Sequence, residues 1–111
     1  MKNYFEFTFG DRTAKAYKTL ENVYEIEASG INLAQIFLNI ANGKILSFTD
    51  ARKILDLSIK ADIADFKERA KFVHDYFESN RFKSCDEVSL FVLELCRTPQ
   101  NDDDAGEPVK K

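Results

Sequence analysis

The chain opens on a period of two. Between Tyr4 and Phe9, Phe5, Phe7 and Phe9 occupy one side and Glu6 and Thr8 the other, the pattern of a strand with one buried face. Gly10 and Asp11 signal a turn, and Thr13 to Tyr17 alternates again, with Ala14 and Ala16 set against Lys15 and Tyr17. These features predict a β-hairpin. Two strands alone are marginal in water, so the Phe face must rest on the rest of the chain. The edges of the pair are open to a further strand, including one from a second copy, which leaves room for a homo-oligomer.

From Thr19 the spacing becomes helical. Thr19 is placed to cap a first helix, Leu20, Val23, Tyr24 and Glu27 share a face with Ile26 beside it, and Gly30 is placed to stop it. In "EIEASGINLAQIF", Asn32 reads as the next cap, with Gln35 three residues on to return the bond and Ile31 and Ile36 to staple the entry. Leu33, Ile36, Phe37, Ile40 and Ala41 then make an amphipathic face that ends at Gly43. Ser47 caps a third helix lined by Ala51, Ile54, Leu55 and Ser58, with Asp50 near its positive end.

A fourth helix is predicted from Ala61 or Asp62 to Asn80. It carries Ile63, Phe66, Ala70, Val73 and Phe77, and Phe72 and Tyr76 widen its apolar face. A fifth opens at "SCDE", with Ser84 as cap and Glu87 closing the box, and carries Val88, Phe91, Val92, Leu95 and Cys96. Leu90 and Leu93 fall off that face. After Arg97 the pattern ends, because "TPQNDDDAGEPVKK" has almost nothing to bury. The expected fold is mainly α with a small N-terminal β-hairpin (α+β). Residues 1–97 form one compact bundle of about five helices, and 98–111 a disordered acidic tail.

Length and charge narrow the function. With 111 residues the chain fits one domain, and its net charge of −3 argues against a nucleic-acid binder that works by neutralising phosphates. Lys67, Arg69 and Lys71 are close in sequence but point in different directions on a helix, which reads as a solvated face. No stretch approaches the roughly 20 apolar residues that cross a bilayer, and the first residues alternate where a signal peptide would be continuously apolar. The expected location is the cytoplasm. Cys85 and Cys96, about 16 Å apart if on one helix, cannot join each other and match no zinc pattern.

Tools for catalysis are hard to find. His74 is the only histidine. Pairing it with Ser89 or Cys85 would make a nucleophile–base site, but no nucleophile elbow accompanies either. The glycines are scattered among turns, helix ends and the last residues, so none forms a phosphate loop. Asp102 to Asp104 lacks the spacing of a calcium loop. No enzyme, cofactor or metal is expected. What remains is apolar surface: either all of it is core, or some of it docks another chain, in which case Phe72, Tyr76, Leu90 and Leu93 are the expected partner-binding residues, together with the hairpin edge.

The order hairpin, Gly turn, acidic helix residue, Gly, Leu-rich helix, Gly turn and Ser/Thr–x–x–Asp-like helix start resembles the gene-transfer-agent branch of phage tail assembly chaperones. Gly10, Glu27, Gly30, Leu33, Ile36, Ile40, Gly43, Thr49, Asp50 and Ile54 occupy those places. The resemblance covers Tyr4 to Lys60. It implies a non-enzymatic assembly factor of the bacterial host cytoplasm that keeps the tape measure protein, and tail tube protein, soluble until the tail tube forms. A second reading, independent of the resemblance, is a small helical regulatory or antitoxin-like protein-binding module.

Overall fold

The hairpin forms where the alternation places it. In the computed structural model, which describes residues 3–97, β1 (Tyr4–Phe9) pairs antiparallel with β2 (Arg12–Tyr17). The loop is Gly10–Asp11, and Gly10 takes φ 62°, the left-handed value that a two-residue hairpin turn of type II′ needs in its first position. Phe7 faces Ala14 and Phe5 faces Ala16 across the ladder. A ring beside a methyl group leaves space above the sheet, and the rings lean through it onto the helices. Phe7 lies 5.7 Å from Tyr76 and 5.9 Å from Phe91 between centroids, edge to face.

Among the described residues five helices follow: α1 (Leu20–Ala28), α2 (Leu33–Ala41), α3 (Phe48–Ser58), α4 (Phe66–Asn80) and α5 (Phe82–Cys96). The fold is therefore α+β, five helices with one N-terminal hairpin. Helix α3 packs against α1, α4 and α5, while the hairpin lies on α3 and α4. The core runs through all of them, from Phe7 to Ile26, Leu33, Ile54, Phe72 and Phe91.

The predicted caps at Thr19, Asn32 and Ser47 all accept a backbone N–H three residues on. The box at Asn32 is only half made, since the Gln35 amide donates to Asn39 Oδ1 at 3.1 Å. Gly30, at φ 103°, follows α1 as expected. Ile31 and Ile36 are both buried.

Four expectations are corrected. First, α1 is turned. It buries Ile26 and leaves Leu20 and Tyr24 in solvent. The Asn22 amide decides this, because its Nδ2 donates to Tyr17 O at 2.7 Å and to Ser58 O at 3.3 Å. Second, the β2 edge is not open along its length. Lys15 N–H, which points away from β1, donates to Asp62 Oδ2 at 2.9 Å, and Tyr17 O is taken by Asn22. Third, α4 starts at Phe66, with the Asp65 carboxylate capping Glu68 N–H. The stretch 59–65 is instead a connection tied down by Arg69. This side chain is buried, not part of a solvated face. It pairs with Asp56 at 3.1 Å and donates to the carbonyls of Ile63 and Ala64.

Fourth, α5 starts at Phe82, not at Ser84. Ser84 lies inside the first turn and its Oγ donates back to Tyr76 O at 3.1 Å. Glu87 closes no capping box, because its carboxylate accepts from the Tyr76 hydroxyl. One residue, Arg81, makes the whole corner between α4 and α5, at φ 50° and ψ −117°. That region suits glycine, so Arg81→Gly is expected to raise stability by about 1 kcal/mol. Its exposed pair with Glu78 is worth less than that. Urea melts of the two chains would check the sign.

Candidate functional site

The side chains of Cys85, Ser89 and His74 form no hydrogen bond with one another among the described residues. Cys85 is buried, and Ser89 spends its hydroxyl on Cys85 O at 2.9 Å, while His74 is exposed on α4. Burial, then Asp86, pushes the Cys85 thiol up from its ordinary value. Desolvation, then Glu27, does the same at Cys96. A raised thiol is a poor nucleophile. Burial and the Glu87 carboxylate hold the Tyr76 phenol far above the tyrosine range, which fixes it as a hydrogen-bond donor. Among the described residues no three His, Cys, Asp or Glu side chains gather as a metal site, and no helix is long and apolar enough to cross a membrane.

The expected partner-binding residues divide. Phe72 and Tyr76 are core, both under 2% exposed, and this corrects their place as surface candidates. The reason is the hairpin: Phe7 stands against Tyr76, and Arg12 covers Phe72 with its guanidinium 5.3 Å from the ring centre. A wide apolar face on α4 is therefore buried on two sides. Leu90 is exposed, at 53%, and Leu93 is half-buried. Leu90→Asp is expected to change stability by no more than about 0.5 kcal/mol, and Leu93→Asp to cost about 1–2 kcal/mol. Thermal melting of both variants distinguishes surface from core, and a collapse at Leu90 would remove it as a docking residue.

The larger exposed surface lies elsewhere. Phe48 opens α3 and Phe82 opens α5. Their rings meet at 5.1 Å while 43% and 64% of the residues remain exposed. Ile45, in the connection before α3, is exposed as well. Phe48 sits on the first helical position, where periodicity puts it in line with the buried Leu55 although it is left exposed, and Phe82 precedes the start that Ser84 suggests. A second exposed pair, Leu20 and Tyr24, stands one turn apart on α1.

Comparison with known proteins brings no match to this chain, whether from family models, curated proteins or solved structures.

Proposed function

We propose that the chain is a non-enzymatic tail assembly chaperone of the phage type. In this reading it holds the tape measure protein, and tail tube protein, soluble in the host cytoplasm. The observation that carries the reading is the exposed aromatic pair Phe48–Phe82 on a small acidic fold. The order of turns and helices from Tyr4 to Lys60 supports it as a resemblance.

Magnitudes favour a long client over a compact one. Covering what is exposed of both rings removes about 200 Å² from water, worth about 5 kcal/mol before the cost of association. That cost is of similar size or larger, so the pair alone gives weak binding. A helical client with a repeated apolar stripe touches further exposed residues, such as Leu38 and Leu90, without paying again for its translational freedom.

Co-expression with the tape measure protein of the same genome tests this. The expected result is that the tape measure is insoluble alone, soluble with the chain, and elutes with it. A tape measure that stays in the pellet, with no complex, would overturn the reading.

A further inference from the structure

Two exposed faces of the molecule are complementary and lie at opposite ends of α5. At its start, Phe82 rests on Phe48, with Ile45 exposed three residues before Phe48. The two segments carrying these side chains, 44–53 and 81–86, hold five basic residues and two acidic ones, Asp50 and Asp86. The remainder of the chain holds eleven basic and seventeen acidic residues. Arg81 is committed to Glu78, and Lys53 to the carbonyl of Ser29. The side chains of Lys44, Arg52 and Lys83 form no ion pair or hydrogen bond among the described residues. The carboxylates of Asp50 and Asp86 form no ion pair among the described residues either, so three cations against two anions leave this aromatic end of an acidic molecule with a small net positive charge.

At the other end, Lys18 bridges to Glu94 at 3.1 Å, which sets the start of α1 beside the last turn of α5. Glu94 is about 18 Å along the helix from Phe82. Helix α1 presents Leu20, Tyr24 and Glu27 on one face, at spacings of four and three residues, with 60% and 62% of the two apolar residues exposed. Glu21 stands beside them, and the helix contains no basic residue. Within one chain the two faces cannot meet. Helix α1 is held to α3 by Lys53 and Asn22, and Lys53 lies about 140° around α3 from Phe48.

We propose that the protein self-associates head to tail, with the Leu20–Tyr24 face of one copy seated on the Phe48–Phe82 end of the next. The charges are opposite and each side supplies two large apolar groups. Phosphate-rich polymers fit less well, because three uncommitted cations on a net-negative chain neutralise little of their charge. The contact is heterologous. Each added copy leaves one face of each kind open, so assembly continues past two or closes as a ring. The interface is small, which makes the association weak and sensitive to salt. The tape measure reading uses the same Phe48–Phe82 pair, so a client and a second copy compete for it; the self-association test needs no client, and its failure leaves the tape measure reading standing.

Sedimentation velocity on the full chain, from about 10 μM to about 1 mM protein, tests the proposal. In about 50 mM NaCl the sedimentation coefficient is expected to rise with concentration beyond that of a dimer, and raising NaCl to about 500 mM to weaken association about tenfold or more. Tyr24→Lys and Phe82→Asp, each altering one face, are expected to remain monomeric alone. Their equimolar mixture is expected to form a heterodimer that stops at two. Circular dichroism confirms that each variant is folded. If Phe82→Asp is not, the double variant Arg52→Glu with Lys83→Glu takes its place, with the same expected result.

Four results would overturn the proposal. One is a wild-type chain monomeric throughout. Another is a mixture of variants that forms no heterodimer. A third is a dimer that stops at two and persists in both variants, the mark of a symmetric contact elsewhere. Binding of a single-stranded oligonucleotide at concentrations where the chain does not self-associate would also overturn it and assign the basic end to a polyanion.

Discussion

Phe7→Ala is expected to lower stability by about 3–5 kcal/mol and to detach the hairpin from the helices. Phe7 is fully buried, and its ring meets Phe5, Tyr76 and Phe91 at centroid distances of 4.9, 5.7 and 5.9 Å. Its partner across the ladder is Ala14, which has no atoms to move into the space. The loss is then the transfer energy of the ring plus the unfilled cavity. A domain of this size has about 5–15 kcal/mol to lose, so the variant sits near the edge of folding. The expected readouts are a melting temperature lower by about 15 °C or more and loss of the near-ultraviolet signal of the aromatic cluster. A drop of only a few degrees would show that the hairpin is an appendage, and that the core is helical alone.

Arg69→Leu comes next in size, at about 2–3 kcal/mol. A leucine fills much of the same space and suits a buried position. Packing alone therefore predicts little change. The cost comes from polar groups. The Arg69 guanidinium donates to the carbonyls of Ile63 and Ala64 at 3.0 and 3.1 Å and pairs with Asp56 at 3.1 Å. Removing it leaves two carbonyls short of a donor and a half-buried carboxylate without its cation. The connection 59–65 loses its anchor, and with it the placement of Asp62 on the β2 edge. Hydrogen exchange at Lys15 N–H gives a local readout. Its protection is expected to fall further than that of Val92, in the middle of α5. Equal loss at both sites would mean that Arg69 serves global stability without a specific hold on this connection.

The two variants divide what is legible in the sequence from what is not. The hairpin and its Phe face follow from alternation and a Gly–Asp turn, and the structure has the first strand from Tyr4 to Phe9 as expected, with the second starting at Arg12, one residue before Thr13. The caps at Thr19, Asn32 and Ser47 follow from local chemistry, since a side-chain oxygen needs only a backbone N–H three residues away. Misreadings arise where a distant group intervenes. Asn22 rotates α1 by reaching Ser58, thirty-six residues away in sequence. Ser84 looks like a cap but bonds backwards to Tyr76 across the corner at Arg81. Phe72 and Tyr76 look like surplus apolar surface until the hairpin is laid over them. The predicted tail from residue 98 lies outside the described residues.

What the chain by itself determines is local: the kind of each element and most of its ends. Periodicity and capping act over one or two turns, and a sequence displays that range directly. Which apolar side chains become core and which remain for a partner is decided only in the tertiary structure. Burial depends on what arrives from elsewhere in the chain, so Tyr76 is covered by a strand sixty-nine residues before it while Phe82, six residues after it, is left in water.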